Sequence, residues 1–417
     1  MRWATATLRE VAPARPARIG FNPEAVVWHL NLDQIESGSS AVKRKYRAPA
    51  CAAGASTFEF DTGNVLFSKL RPYLNKVVLP DEPGIATTEL VPLRPERGLL
   101  MPAFFAHYLR SPGFLAFSSS FVTGVKMPRV IMEKFWQAEL PLPPLSEQRR
   151  IVEILDRADE LRRLRAEANT RAERILPALF LKMFGDPATN PMGWEQLPLG
   201  ELVTHLTSGS RGWSSFTGRG PGLFVRTQDI LDGQISQELL AVDPPHGAEA
   251  DRTRLADGDV VVTITGIVGK AATFHTMNRD AYVSQHVALV RPDHSRILPE
   301  FLTQYANLPI GPTPVLATFQ YGQTKPGLGF RELNTARIPV PPLRIQRQFQ
   351  SQVLGMTTHR HHIVRASKQL SQVWATLLSR AFSGDLTASW REAHMKELLQ
   401  EMEQQARDLA RLREATP

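Results

Sequence analysis

The sequence predicts an α+β protein laid out as globule, long helix, globule, long helix. The two helices are expected to pair as an antiparallel coiled coil, giving a pseudo-two-fold internal repeat. Three observations carry this. A Pro-rich string followed by a long amphipathic segment occurs twice, from Leu140 to Phe184 and, 198 positions later, from Ile338 to Phe382. Apolar residues in both segments step alternately by three and four. Features of residues 1–138 then recur, in order, in residues 187–336.

The first copy reads LPLPPLSEQRRIVEILDRADELRRLRAEANTRAERILPALFLKMF and the second IPVPPLRIQRQFQSQVLGMTTHRHHIVRASKQLSQVWATLLSRAF. Proline fixes φ and disfavours helix at the preceding residue, so each helix can begin only after Pro141-Leu142-Pro143-Pro144 or Pro339-Val340-Pro341-Pro342. No Gly or Pro then follows until Pro177 in the first copy, and only Gly355 interrupts the second. Alternate steps from Ile151 give Ile154, Ala158, Leu161, Arg165, Ala168, Ala172, Ile175 and Leu179. The matching positions are Phe349, Gln352, Met356, His359, Ile363, Ala366, Leu370, Val373 and Leu377. A spacing of 3.5 is that of a coiled-coil seam. At about 1.5 Å per residue, Ser146 to Phe184 predicts a rod of roughly 55–60 Å. Burial inside a larger core is the plainer reading, and Arg162, Arg163, Glu167 and Glu173 on the other faces oppose it.

At 417 residues the chain is long enough for two or three domains. Hydrophobic content of 42% and charged content of 22% are those of an ordinary folded protein. No apolar run approaches a membrane span, and MRWATATLREV lacks the apolar core of a signal peptide, so a cytoplasmic protein is expected. The single cysteine, Cys51, leaves no internal disulfide and no multi-Cys zinc site. A net charge of +8 tilts the partners towards polyanions.

In chain order, strands are expected at Val26–Leu30, at Asn64–Leu70 and, on an edge because of Pro92, at Leu90–Arg94. A turn is expected at Ser37-Gly38, a helix from Pro102 to Leu109 and a loop from Gly124 to Pro128. Leu199-Gly200-Glu201-Leu202 answers Leu8-Arg9-Glu10-Val11, and Gln228–Gly233 answers Asp33–Gly38. Asp257-Gly258-Asp259-Val260 answers Thr62-Gly63-Asn64-Val65, and Tyr305 answers Tyr108. Residues Trp390 to Glu414 are helical by propensity and either extend the bundle or dock on a partner.

Catalytic signatures are weak. Asp243-Pro244-Pro245-His246 is close to the Asp/Asn-Pro-Pro-aromatic string of amino-group methyltransferases. Its fourth residue is His, however, and no Gly-rich turn is present to hold S-adenosylmethionine. A surface Pro turn is the alternative. Thr265–Lys270 resembles part of a phosphate loop, but Ile264 replaces its first glycine and Ala271 its metal-binding hydroxyl, leaving a glycine-bent strand pair. Of His359, His361 and His362, two share a helix face without an acidic or Cys partner. No cofactor or metal is expected.

At Pro141 to Asp186 the chain resembles the central conserved region of specificity (S) subunits of Type I restriction-modification systems. LPLPPLSEQRRIVEILDRADEL and LFLKMFGDP carry the resemblance, and AFSGDLTASWR (381–391) is similar to that family's second conserved region. VLFSKLRPYLNKV (65–77), FVRTQDI (224–230) and GDVVVTITGIVGK (258–270) resemble its target-recognition domains. The resemblance implies target-recognition domains at 1–138 and 187–336, helical spacers at 139–186 and 337–390, and a C-terminal helical tail at 391–417. It also implies a non-catalytic subunit that reads a bipartite, asymmetric duplex DNA site. Such a subunit docks two methyltransferase (M) subunits and motor-nuclease (R) subunits. The second helix departs from the simplest pattern in its polar Gln352, His359 and HRHH run.

Reading DNA requires cations for phosphates and forked donors for base edges. The candidates in the first globule are Lys43, Arg44, Lys45, Arg47, Lys69, Arg71, Tyr73, Lys126 and Arg129. Those in the second are Arg211, Trp213, Arg226, Gln228, Lys270, Gln285, His286, Gln323 and Lys325, with Arg211, Arg226, Gln285 and Lys325 foremost. The alternatives are a two-lobed coiled-coil protein-binding adaptor and a DNA methyltransferase built on Asp243 to His246.

Overall fold

Each Pro-rich string ends a strand and begins a helix. In the computed structural model, which describes residues 3–231, 233–244, 247–310, 313–319 and 327–415 without the side chains of 214, 310, 313, 357–364 and 415, strand Glu139–Leu142 pairs antiparallel with Ala4–Thr7. Strand Arg337–Pro339 pairs in the same sense with Gln196–Pro198. The prolines then allow helices over Leu145–Glu173 and Leu343–Ser383.

One residue in the first turn of each helix joins this junction to its globule. Gln148, fully buried, accepts a hydrogen bond from the Met101 amide at 2.8 Å and donates to the Leu99 and Pro143 carbonyls, both at 2.8 Å. Gln346, also fully buried, accepts from the Leu298 amide at 2.8 Å and donates to the Arg296 and Pro341 carbonyls at 3.2 and 2.7 Å. The glutamine of Pro-Pro-Leu-x-x-Gln is thus the polar plug of a dry joint, where each unmade bond would cost a desolvation penalty.

The chain forms two compact units, Met1–Ala166 with Ala366–Pro417, and Glu167–Arg365. The first holds a four-stranded sheet ordered Tyr46–Pro49, Val26–Leu30, Gly84–Thr87, Thr57–Phe60, and a three-stranded sheet ordered Val77–Val78, Val65–Ser68, Leu90–Leu93. Pro92 lies on an edge strand there. The core of this unit gathers Phe67, Phe104, Phe105, Phe135, Ile151 and Leu155 with Trp374, Leu378 and Leu409 from the far end of the chain. The second unit holds a four-stranded sheet ordered Val203–Ser208, Val287–Pro292, Val260–Thr263, Ala271–Thr273, and a three-stranded sheet ordered Leu240–Val242, Thr217–Val225, Ala281–Val283. Its core centres on Phe180, Phe184, Phe301 and Phe349, whose ring centroids lie 4.8–5.6 Å apart where they pair.

Among the described residues each unit contains one parallel strand pair, Val26–Leu30 with Gly84–Thr87 and Thr217–Val225 with Ala281–Val283. Tyr108 and Tyr305 donate to the Glu139 and Arg337 carbonyls at 2.7 and 3.1 Å, and burial pushes both phenols up to about 12.

Three expectations about the helices change. The first rod is interrupted: one helix ends at Glu173 and another runs Ile175–Phe184. Pro177 cannot donate to the Glu173 carbonyl, and its ring crowds that oxygen. The buried seam starts as expected, with Ile151 and Phe349 fully buried, and is then shifted by one residue. Leu161 is 55% exposed, Ile175 50% and Val373 52%, while Leu155, Leu176, Val353 and Trp374 are buried. The inward stripe includes Arg162, whose guanidinium stacks 4.9 Å over Trp374. The tail, finally, docks on its own chain. Helix Met395–Ala415 buries Leu398 and Leu409 in the first unit, and Gln405 donates to Pro143 at 3.1 Å. Glu401 accepts from Ser146, and Arg413 pairs with Glu10 at 2.7 Å. Burial pushes the Glu10 carboxyl up, but bonds from Arg413 and Thr7 outweigh it and hold it below its ordinary 4.5.

The glutamine joints are unequal, because Gln405 also donates to the Leu99 and Pro143 carbonyls. Gln346→Leu is therefore expected to destabilise its unit by about 2–4 kcal/mol and Gln148→Leu by less, read from chemical unfolding. Gly355 sits inside a helix with nothing within 4 Å of an added Cβ. Gly355→Ala is expected to stabilise by about 0.5–1 kcal/mol in the same measurement.

Candidate nucleic-acid interface

In the first unit the candidate cations fall into two groups. Lys45 and Arg47 flank exposed Tyr46 at an edge strand, and acidic neighbours already hold both. Lys45 binds Asp81 at 2.7 Å and Glu82 at 2.8 Å, and Arg47 binds Glu82 at 2.8 Å. Burial pushes the Lys45 ammonium down, but these carboxylates outweigh it and raise it above 10.5. Lys43 and Arg44 beside them are exposed.

The second group forms round a hairpin. Strands Val122–Thr123 and Arg129–Val130 carry a loop turned at Gly124, and Val125 at its tip is 100% exposed. The Val130 amide donates to Lys69, the Arg71 amide to Pro128 at 2.7 Å, and the Arg71 guanidinium to the Lys126 carbonyl. Arg71, Lys126 and the neighbouring Tyr73 are exposed, and Lys69 is half-buried. Arg129 grips Glu89 in a bidentate pair at 2.8–3.2 Å, which holds the Glu89 carboxyl below its ordinary 4.5.

In the second unit four loops meet at one end of the sheets. The Ser284 amide donates to Val225, the Gly209 amide to Ser284, and the Ile264 amide to His286. This brings 209–211, 226–228, 264–269 and 284–286 together. An added Cβ at Gly209 would meet the Val283 carbonyl, so only glycine allows this approach. Arg211, Gln228, Gln285 and His286 are exposed on these loops. His286 bridges Thr265 Oγ1 at 2.6 Å and Gln285 Nε2 at 2.9 Å.

Three candidates sit differently from their expected roles. Trp213 is 3% exposed and packs against Phe224 and Tyr282 at 6.3 and 5.7 Å, so its indole fills a core and cannot stack on a base. Arg226 closes its own turn by a bidentate bond to buried Asp229 at 2.9–3.0 Å. Lys270 lines a cavity with Glu173, Leu176, Pro177 and Gln304, a lining that includes neither Gln285 nor His286. Gln323 and Lys325 lie outside the described residues, as do Pro245 and His246 and the side chains of His359, His361 and His362. Thr265 was visible only within the phosphate-loop-like string, and Ser284 and Asp229 carried no signal of their own. Among the described residues no cluster of three or more His, Cys, Asp or Glu could hold a metal, and no helix is long and apolar enough to cross a membrane.

The matching geometry of the two loop systems is plain in their bonds. Leu70 bridges Arg129 in one unit as Thr265 bridges Gly327 in the other. Lys69 donates to the Glu89 carbonyl as Ile264 does to His286. The backbone platform is shared, while the side chains on it are Glu89 with Arg129 in one case and His286 with Gln285 in the other.

Residues 53–174 match the Type I restriction modification DNA specificity domain. The chain is 22% identical over 352 residues to the Type I restriction enzyme EcoBI specificity subunit of Escherichia coli, covering 76% of this chain and 72% of that protein. It is 22% identical over 335 residues to the EcoKI specificity subunit of Escherichia coli strain K12, covering 72% and 68%. Among solved structures, the Type-I restriction-modification system S subunit from M. genitalium shares the fold at a TM-score of 0.57 and 14% identity, over 92% of this chain and 96% of that one. A chain from a study of assembly and conformational transition in the type I R-M system does so at 0.55 and 23%, over 92% and 98%. A DNA specificity domain is thus matched over residues 53–174, and similarity to named specificity subunits of Type I restriction enzymes runs over most of the chain's length.

Proposed function

We propose that the chain reads a bipartite, asymmetric duplex DNA site, one half with each unit, and that its long helices set the gap between the halves. In this reading residues 1–138 and 187–336 are the two target-recognition domains, 139–186 and 337–390 the spacers, and 391–417 a tail. The observation that carries it is the pair of loop platforms with matching backbone bonds and different side chains. That is what two readers of two different half-sites require.

An antiparallel course for the helices is supported by contacts inside each unit. Arg162 meets Trp374 in one, and Phe184 meets Phe349 in the other. A rising residue number on the first helix is matched by a falling number on the second. As a specificity subunit the chain is not an enzyme by itself; it would dock two methyltransferase subunits and motor-nuclease subunits in the cytoplasm. Leu161 and Leu164 in the first unit, and Leu181 and Leu354 in the second, are roughly half exposed and suit packing against partner helices.

Electrophoretic shifts with duplex DNA at several salt concentrations test the reading. The affinity is expected to fall steeply with log salt, as counterions released from phosphates require. A salt-independent or absent shift favours the protein-binding adaptor. Inserting four residues between Ala168 and Thr170 adds about 6 Å of helix, close to two base-pair steps of duplex. Methylation-motif mapping is expected to show the same half-sites with a gap wider by one or two pairs, and an unchanged gap refutes the ruler.

A further inference from the structure

We propose that Gln285 reads an adenine in the half-site bound by the second unit, and that His286 and Thr265 hold its amide in the reading orientation. The inference rests on the DNA-reading function above and names one contact within it.

The argument begins with the three-residue chain Thr265, His286, Gln285. The Gln285 amide nitrogen can only donate, so the His286 Nε2 at 2.9 Å must accept. The proton of the neutral ring then sits on Nδ1 and is donated to Thr265 Oγ1 at 2.6 Å. This arrangement uses one N–H of the amide. Gln285 is exposed, so the second N–H and the carbonyl oxygen of its amide remain to pair with a base edge. In the major groove, adenine offers an acceptor at N7 and a donor at N6, and a carboxamide meets both at once.

The loop beneath is held rigidly enough to aim such a fork. Ser284 is buried, its amide bound to Val225 at 2.9 Å and its carbonyl to the Val287 and Gly209 amides at 3.0 and 3.2 Å. The His286 carbonyl accepts from Ile264 at 3.0 Å. A side chain fixed before binding loses less freedom when it pairs. At the matching loop of the first unit, Thr88 is exposed and Glu89 is taken up by Arg129, so no carboxamide is presented there. The two units therefore present different chemistry from equivalent loops. His286 and Thr265 are positioning residues; Gln285 alone would touch the base.

The test is methylation-motif mapping in cells carrying the full chain with its methyltransferase. Gln285→Ala is expected to make one A·T position of one half-site degenerate, with preference there falling on the order of ten- to a hundred-fold, the size of one bidentate contact. All other positions should hold. His286→Ala should relax the same position more weakly, and His286→Gln, whose carbonyl can accept from the Gln285 amide, should restore it. Unfolding curves matching wild type show that each variant is folded. The proposal is overturned if the motif is unchanged in Gln285→Ala, if the relaxed position is a G·C pair, or if every position relaxes together. A wild-type chain that directs no methylation to any sequence would instead overturn the DNA-reading function itself.

Discussion

A carboxamide enclosed away from water must find all its partners within the protein, and the rest of this structure depends on two that do. Gln148 and Gln346 each tie a Pro-rich strand end, a long helix and the loop before a globule helix into one joint. Without that plug the first helical turn would bring orphaned carbonyls into a dry interior. With it, helix and globule share a core, and each loop platform is referenced to a helix through that core.

On that common base the two units also differ at their tips. A glutamate with an arginine and a histidine with a glutamine occupy equivalent loops. Neither exchange disturbs the strand pairing below, because both lie where the backbone bonds are already complete. The side chains at the rim can therefore change while the joints stay as they are.

Much of this was legible in the sequence where the cause is local. Proline strings stop strands and start helices wherever they occur, and the glutamine after Pro-Pro-Leu stands at the same spacing both times. The seam was legible in period but not in phase. Ile151, Ile154, Leu155, Ala158, Leu161 and Leu164 offer two overlapping stripes, and the choice falls to Trp374, more than 200 residues away, which draws Arg162 inward. Cations were legible as a group, but their pairing was not: Asp81 and Glu82 reach Lys45 across a fold no local pattern describes. Trp213, set among arginines, reads as a stacking residue until Phe224 and Tyr282 close over it.

The first unit is discontinuous, and that has a bearing on its biogenesis. Its core includes Trp374, Leu378, Ala381 and Leu409, and fully buried Glu147 is bound by Trp3, Thr387 and Arg391. A nascent chain leaving the ribosome has none of the later residues when the earlier ones emerge. The second unit is one continuous stretch and can close first. The amino-terminal part must wait, its apolar face open, until residues 366–415 have been made, so a chain cut short before them would spoil the part made earliest.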